Sequence, residues 1–215
     1  ITIGMLLLSG IYGMYSVSTY GSRWVSSARN TRYRSAKSRV IPGDIRDRNG
    51  VLLATTDENG KRTYQANTLS RSSMVHLLGD TEGNVANGIE SFQANYLLGF
   101  ETSLNERVNA LLDGAQRKGD TVVLTADSKL QTEIVNIFLN TSNTRGKCGA
   151  AVVMNYKTGE VLAMASYPTY NLDTFNEDYN DLLANEDNPL FNRALQGTYA
   201  PGSIFKPLVG VAGLE

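Results

Sequence analysis

The chain opens with a long stretch that carries no charged side chain. Residues 1–22 contain no Asp, Glu, Lys or Arg. At about 1.5 Å per residue, a helix of this length could cross the roughly 30 Å apolar core of a bilayer. A buried helix of a soluble domain is the alternative, but this stretch is longer than most core helices. The pattern therefore predicts a membrane anchor over residues 1–22.

A basic segment follows the charge-free stretch. Six basic residues precede the first acidic residue, Asp44: Arg23, Arg29, Arg32, Arg34, Lys37 and Arg39. The positive-inside tendency alone would place this side of a membrane span in the cytoplasm. That tendency compares both flanks of a span, so these residues by themselves leave the orientation open.

From residue 40 to residue 118 the hydrophobic pattern is irregular and turn signals are frequent. Asn49-Gly50 predicts a turn before a strand at 51–54, and residues 57–60 predict a second turn before a returning strand at 63–66. Residues 67–100 predict loops with short helices, and the apolar spacing in 103–114 predicts one further helix. We interpret 23–118 as an irregular domain that contains β-structure.

The pattern becomes regular after residue 119. A strand near 120–124 leads to Asp127, which is typical of a helix cap. Four apolar residues then recur at helical spacing and predict a helix that faces a core: Leu130, Ile134, Ile137 and Phe138. Two apolar runs, 149–155 and 160–167, predict an antiparallel hairpin of buried strands. The fold class predicted for the chain is α+β, with a second domain over 119–215.

The last part of the chain predicts a connection and a helix. Residues 168–192 are mostly polar and predict an exposed connection. A final helix is expected to start near Ser203, with Pro207 in its first turn, where a missing N–H costs little.

The net charge, the single cysteine and the single histidine each bear on the function of the chain. The net charge of −1 gives no reason to expect a nucleic-acid binder. Cys148 is the only cysteine, so no internal disulfide can form, and we expect it to be a small buried residue. His76 is the only histidine, expected in a loop or on a helix surface. Because no second histidine and no nearby cysteine accompany it, no metal site is predicted.

Ser203 and Lys206 are the candidate catalytic residues. Serine is a poor nucleophile near neutral pH and needs a base within hydrogen-bond reach. Residues three apart share one face of a helix, so Lys206 can meet Ser203 without help from another element. A lysine acts as a base only if burial or nearby positive charge lowers its pKa, and Ile204, Phe205 and Leu208 are expected to supply part of that burial. The alternative is a first-turn serine with a solvated lysine, because a bare S-x-x-K is weak evidence.

The context of the pair is more specific. Residues 192–208, NRALQGTYAPGSIFKPL, resemble the segment around the active-site serine of penicillin-binding proteins, and residues 150–171 resemble the first two strands of the same transpeptidase domain. Residues 120–131, DTVVLTADSKLQ, are similar to the strand and helix that precede those strands. GDIRDRNGVLLA at 43–54, with HLLG at 76–79 and GIESFQANYLLG at 88–99, resembles the pedestal of the class B enzymes.

The resemblance implies a function and a location. It implies a membrane-anchored D,D-transpeptidase that cross-links peptidoglycan stem peptides through an acyl group on Ser203, with Lys206 as its activator. β-Lactams would acylate the same serine, a membrane glycan polymerase would be the partner, and no cofactor is implied. It also implies single-pass membrane attachment, with the residues from 23 onward extracytoplasmic. The chain then corresponds to the anchor, the pedestal and the first part of the transpeptidase domain, and by itself is expected to be inactive.

Two further motifs of this family are S-D-N and K-T-G. Neither follows Lys206 in the nine remaining residues. The residues 140–143, Asn-Thr-Ser-Asn, lie upstream, in the wrong order. Lys157-Thr158-Gly159 does spell K-T-G, but it also precedes the serine and lies between two apolar runs. We interpret it as a hairpin turn without a catalytic role.

Two alternative functions remain on sequence grounds. A β-lactamase or a β-lactam sensor shares S-x-x-K, although the pedestal-like segment disfavours a simple β-lactamase. The other alternative is a non-catalytic pedestal that docks a membrane polymerase.

Overall fold

The computed structural model describes residues 4–5, 8–16, 40–57, 59–81, 84–85, 87–99 and 117–214. Residues 4–5 and 8–16 are helical. Over the ranges just given, no helix is both long enough and apolar enough to cross a membrane. The anchor predicted over 1–22 lies partly outside these ranges, and the helix predicted over 103–114 lies wholly outside them.

Within the ranges that the structure describes, eight short strands form three small sheets. A four-stranded sheet has the order β4-β3-β2-β6, and the pairs β1–β5 and β7–β8 form the other two sheets. The strands are β1 Val40–Ile41, β2 Ile45–Arg46, β3 Leu52–Thr56, β4 Arg62–Tyr64, β5 Arg117–Lys118, β6 Val122–Val123, β7 Gly149–Met154 and β8 Val161–Tyr167.

Seven helices accompany the strands in the chain from residue 40 onward, as far as it is described. They are α1 Thr68–Leu78, α2 Ile89–Phe92, α3 Ala94–Leu97, α4 Ser128–Asn140, α5 Phe175–Ala184, α6 Arg193–Gln196 and α7 Lys206–Ala212. A 3₁₀ turn over Gly202–Phe205 precedes α7. The mixture of helices and sheets agrees with the predicted α+β class.

The predicted first hairpin is confirmed. β3 pairs antiparallel with β4, and a turn at 57–60 joins them. Asp57 closes this turn by accepting hydrogen bonds from the backbone N–H groups of Asn59 at 3.0 Å and Lys61 at 2.8 Å. Such side-chain bonds to nearby backbone N–H groups are the reason that Asp favours turns.

The four-stranded sheet joins residues on both sides of position 119. β6 pairs in parallel with β2, although about 75 residues separate them in the sequence. Gly119 fits only because it lacks a side chain, since a Cβ there would lie 1.8 Å from the carbonyl oxygen of Leu97. A buried cluster continues across this junction and contains residues of β2, β3, α1, α3 and the segment after β6: Ile45, Leu53, Ala54, Met74, Leu78, Leu97, Leu124 and Ala126.

Asp47 ties the turn before β3 to the start of α4. It is fully buried, and its Oδ1 accepts hydrogen bonds from the N–H groups of Asn49 and Val51, both at 2.8 Å. Its Oδ2 accepts the hydroxyl of Ser128 at 2.7 Å. Burial by itself would raise the pKa of Asp47, but these hydrogen bonds outweigh it and lower the pKa.

Helix α1 corrects the expectation of loops and short helices over 67–100. It is 11 residues long and begins after Asn67, whose side chain accepts the N–H of Ser70 at 3.0 Å. Its buried face mixes polar and apolar residues: Ser70, Ser73, Met74, Val75, His76 and Leu78. A hydrophobic period could not reveal a helix whose buried side is half polar.

Helix α4 begins as predicted, but buries another face. Asp127 accepts the N–H groups of Lys129 and Leu130 and so caps the helix. The fully buried positions are Ser128, Gln131 and Val135, whereas Ile137 of the predicted apolar stripe is 54% exposed. Gln131 explains the difference, because its amide bonds to the backbone of Met164 in β8 and to the carbonyl of Ser73 in α1.

The predicted second hairpin is confirmed. The predicted exposure of the connection over 168–192 is confirmed only in part. β7 and β8 pair antiparallel from Gly149–Tyr167 to Met154–Val161. Ala163 and Ala165 of β8 are fully buried, whereas Val152 and Met154 of β7 are about half exposed, which corrects the expectation that both strands are buried. Residues 168–192 include helix α5 and contribute to a second buried cluster: Val75, Val85, Tyr170, Leu172 and Phe175.

Candidate active site

Ser203 and Lys206 lie at the junction between the 3₁₀ turn and α7. The backbone N–H of Lys206 donates to the carbonyl of Ser203, so one turn separates the two residues. Residues three apart in such a turn project from the same face. Pro207 lies in the first turn of α7, as predicted. The local sequence thus places a hydroxyl and an amine on one face at the start of a helix.

The backbone before Ser203 turns sharply. Pro201 has helical backbone angles, and Gly202 has a φ of +57°, in the left-handed region that favours glycine. Because residues with a Cβ rarely adopt that conformation, Pro201-Gly202 fixes the approach to the serine. Ser203 is exposed after this turn.

The expected burial of Lys206 is wrong for the residues described. Lys206 is exposed, and its apolar neighbours Ile204, Phe205 and Leu208 are 81%, 49% and 62% exposed. All positions from 198 to 214 are exposed. The helix therefore presents the serine, the lysine and several apolar side chains on an open surface within this chain.

Asn192 anchors the chain shortly before the serine. It is 1% exposed, and its Nδ2 donates to the carbonyl of His76 at 3.1 Å. Its Oδ1 accepts the N–H groups of Ala194 and Leu195 at 3.2 Å and thereby caps α6. The N–H of Asn192 in turn donates to Gln196 Oε1 at 3.0 Å.

His76 is buried, which corrects the expectation of a loop or helix surface. It is 1% exposed, and its Nε2 lies 3.1 Å from the carbonyl oxygen of Pro168. A carbonyl only accepts, so Nε2 carries the proton and Nδ1 is the bare nitrogen. Nδ1 is buried without a partner among the described residues, and the ring packs edge-on against Tyr170 at 5.4 Å. Burial lowers the pKa of His76 to about 4, and the positive charge of Arg193 adds to that effect.

The segment that carries Ser203 matches a known protein family. The family described as the penicillin binding protein transpeptidase domain matches residues 149–215, which include the two strands and the serine helix. The peptidoglycan D,D-transpeptidase MrdA of Escherichia coli strain K12 is 31% identical over 195 residues, or 85% of this chain. The chain belongs to the class B penicillin-binding proteins. It spans 28% of the length of that relative.

Solved penicillin-binding proteins share the fold. Penicillin-binding protein A from M. tuberculosis, as an imipenem acyl-enzyme complex, is 26% identical with a TM-score of 0.68 and matches 83% of this chain and 43% of its own. PBP2 of Pseudomonas aeruginosa, in complex with WCK 5153, is 30% identical with a TM-score of 0.62 and matches 82% of this chain and 39% of its own. A chain that continues to the length of these relatives is called the full-length protein below.

The K-T-G triplet of this penicillin-binding protein is the turn between β7 and β8, as predicted. The N–H of Gly159 donates to the carbonyl of Asn155 at 2.8 Å, and Gly159 has a φ of +79°. Asn155 Oδ1 accepts the N–H of Lys157 at 3.0 Å. Glycine with positive φ is the usual residue for such a hairpin turn.

Replacing Lys157 by alanine should leave acylation of the full-length protein by a fluorescent penicillin within about twofold of the unmodified rate. The physical reason is that Lys157 is an exposed turn residue whose amine lies 5.7 Å from the ring of Tyr156. Substitutions of exposed residues that take part in no cap, buried contact or ion pair usually change the stability of a protein by less than about 0.5 kcal/mol. Labelling followed on gels over time measures the rate. A folded variant that no longer labels would place this triplet in the catalytic machinery.

Acid should destabilise the full-length protein through His76 before the carboxylates titrate. The pKa of His76 is lowered to about 4, so the unfolded chain binds the proton more readily, and stability falls as the pH drops from about 6.5 toward 4. The expected loss between pH 7 and pH 4.5 is about 2–3 kcal/mol. Hydrogen bonds lower the pKa of Asp44 and Asp47 despite their burial, and they also lower the pKa of Asp127. The stability that these carboxylates contribute is therefore lost only at a pH below the window of His76.

Urea unfolding at pH 7 and pH 4.5 measures this effect, with His76→Gln as the comparison. Glutamine keeps an N–H donor for the carbonyl of Pro168 but does not titrate. The variant should therefore lose less stability between the two pH values than the unmodified protein loses. An equal pH dependence in both proteins would contradict the assignment.

Cys148 is exposed, which corrects the expectation of burial. Its Sγ lies 3.5 Å from Oδ1 of Asp187. Cys148 directly precedes β7, and one cysteine in a sequence gives no sign of which side it faces. Among the residues described, no group of three or more His, Cys, Asp or Glu side chains could hold a metal ion.

Long-range contacts hold the serine segment, and no local sequence pattern reveals them. Asn192 belongs to the segment that resembles the family motif, but its bond to His76 joins positions 116 residues apart. Ser166 carries no sign of its role in the sequence, although it is buried and accepts the N–H of Arg193 at 3.0 Å while donating to the carbonyl of Phe191 at 3.2 Å. The available signal was local: Asn192 stands directly before a short helical run, which is the position of a helix cap.

Proposed function

We propose that the full-length protein is a peptidoglycan D,D-transpeptidase in which Ser203 is the nucleophile and Lys206 is its base. The observation that carries the proposal is the one-turn spacing of these residues, closed by the N–H of Lys206 on the carbonyl of Ser203. The segment lies within the match to the transpeptidase family, which supports the assignment. The D,D-transpeptidase activity named for the E. coli relative supports the reaction class.

The first half of the reaction forms an acyl-enzyme. The neutral amine of Lys206 takes the hydroxyl proton, and Ser203 Oγ attacks the carbonyl carbon between the two terminal D-alanines of a stem peptide. The C–N bond breaks, and the departing D-alanine receives the proton. The backbone N–H of Ser203 is suited to donate to the developing oxyanion, and a second donor belongs to a part of the domain beyond these residues.

The second half transfers the acyl group. An amine of a neighbouring stem peptide loses a proton to Lys206 and attacks the ester carbonyl. The new C–N bond forms, the ester C–O bond breaks, and Ser203 Oγ regains its proton. A β-lactam enters the same first step, but its leaving nitrogen stays tethered in the opened ring, so the ester persists.

The proposal extends to the arrangement of the chain. Residues 1–22 form the anchor, 23–118 the pedestal and 119–215 the first part of the transpeptidase domain, with β6 reaching back to pair with β2. The domains lie outside the cytoplasmic membrane, and a membrane glycan polymerase is the expected partner. Protease treatment of spheroplasts tests the topology: digestion of residues from 23 onward supports it, and full protection contradicts it.

A transfer assay on the full-length protein tests the function. A donor peptide ending in D-Ala-D-Ala and an amine acceptor should give free D-alanine and a cross-linked product, and prior treatment with benzylpenicillin should abolish both. Omission of the acceptor is the control for hydrolysis. Rapid turnover of penicillin without any transfer would identify a β-lactamase, and absence of acylation would contradict the proposal altogether.

A further inference from the structure

Asn192 is the last buried residue before Ser203 in the described chain. It is 1% exposed, whereas every residue from 193 to 214 is half-buried or exposed. Eleven positions separate Asn192 from Ser203. The place and direction in which the chain leaves the folded body toward the serine are therefore set at Asn192.

The side chain of Asn192 bonds in two directions. On one side Oδ1 holds the first turn of α6 by accepting two backbone N–H groups. On the other side Nδ2 donates to the carbonyl of His76 in the last turn of α1. Carbonyls in the last turn of a helix have no partner further along that helix, so an outside donor satisfies one of them. One amide therefore connects the serine segment to α1.

The acceptor of this bond is itself held firmly. The ring of His76 is fixed by the carbonyl of Pro168 and by the edge of Tyr170. The hydroxyl of Tyr170 donates to the carbonyl of Val75 at 3.4 Å, which ties the same helical turn to the segment after β8. The carbonyl of His76 therefore has little freedom to follow a displaced Asn192.

Neighbouring contacts fix the direction of α6. The N–H of Arg193 donates to Ser166 in β8, and Nη1 of Arg193 donates to the carbonyl of Asn188 at 3.1 Å. These contacts orient the helix, but the first of the two hydrogen bonds is only partly buried and the second is exposed. The bond between Asn192 and His76 is the buried one of the set.

We propose that Asn192 is a positioning residue for the acylation of Ser203. Its amide fixes the chain against the carbonyl of His76, so that α6 and the turn at Gly202 deliver Ser203 along a single direction. The proposal rests on the acylation of Ser203 proposed above. Misplacement of a reacting group by about 1 Å can cost about 10²-fold in rate, so an anchor outside the site can control the chemical step.

Asn192→Asp is the decisive variant. The carboxylate keeps the shape and still caps α6, but it presents an acceptor to the carbonyl of His76 in place of a donor, and the two oxygens repel. Asn185→Asp is the matched control, because Asn185 is exposed and its Oδ1 accepts the N–H of Asp187 at 2.9 Å, a bond that aspartate keeps. Asn192→Ser, which keeps a cap but loses the reach to His76, serves if the first variant does not fold.

Stopped-flow acylation of the full-length protein by a chromogenic cephalosporin separates binding from chemistry. Asn192→Asp should lower the acylation rate constant about 10-fold or more, with the non-covalent dissociation constant within about twofold. The control variant should match the unmodified protein. The burst amplitude counts folded, active molecules, so a purely structural defect would reduce the amplitude and leave the rate constant unchanged.

A lowered rate constant at intact binding supports the positioning role. A rate constant within twofold of the unmodified protein, in either Asn192 variant, overturns it and leaves the proposed function standing. Failure of the unmodified protein to acylate at all would overturn both.

Discussion

In the full-length protein, Ser203→Ala should abolish covalent labelling by a fluorescent penicillin, and Lys206→Ala should slow it by about 10²–10⁴-fold. The first change removes the oxygen that forms the ester. The second removes the base, and general-base catalysis typically contributes a factor of that size. Both residues lie on the open face of one turn, so neither substitution disturbs a buried contact of the described chain.

Lys157→Ala provides the lysine control, since it removes the same functional group from the β7–β8 turn. Circular dichroism and thermal unfolding should show all three variants folded. Labelling of the Ser203→Ala protein at an undiminished rate would place the nucleophile elsewhere. An unchanged rate in Lys206→Ala would show that another group takes the proton.

The 215 residues expressed by themselves should acylate at least about 10³-fold more slowly than the full-length protein. Loss of one oxyanion donor typically costs about 10²–10³-fold, and this chain also lacks any cover over the serine helix among its described residues. Lys206 is exposed, whereas general-base chemistry of this kind works best in a site from which water is excluded. Both effects act on the same step.

Intact-mass spectrometry after timed exposure to benzylpenicillin measures this difference. Circular dichroism of the short chain is the control for folding, because its exposed apolar helix promotes association. A stoichiometric adduct on the short chain, formed at the rate of the full-length protein, would show that all essential groups lie within these residues.

Local signals predicted a large part of the fold. The turn at 57–60, the cap at Asp127, the hairpin of β7 and β8 and the position of Pro207 all depend on residues within a few positions of one another. In each case a turn or cap residue has a side-chain or backbone preference that the sequence displays directly. The order of the motifs then indicated where the serine helix would stand.

Long-range polar contacts could not be predicted in the same way. Asp47 bonds to Ser128 across 81 positions, and Gln131 joins α4 to both β8 and α1. His76 is buried because a carbonyl from residue 168 meets its ring. Hydropathy assigns such residues to the surface, since only a distant partner makes their burial favourable.

Hydropathy also fails for the apolar residues of the serine helix, which it assigns to a buried side although they are exposed. Ile204, Phe205 and Leu208 are expected to bury Lys206 in part, yet they are themselves 81%, 49% and 62% exposed. Their pattern is that of a core helix, and the described chain supplies no surface to cover it. The described residues therefore leave the apolar side of this helix uncovered.

Locating the penicilloyl adduct decides whether Ser203 carries the acyl group. The full-length protein is incubated with benzylpenicillin, digested, and analysed by tandem mass spectrometry to locate the adduct. We expect one penicilloyl group per chain, attached to Ser203, and no adduct in the Ser203→Ala protein. An adduct on another residue, or one that survives the Ser203→Ala substitution, would contradict it.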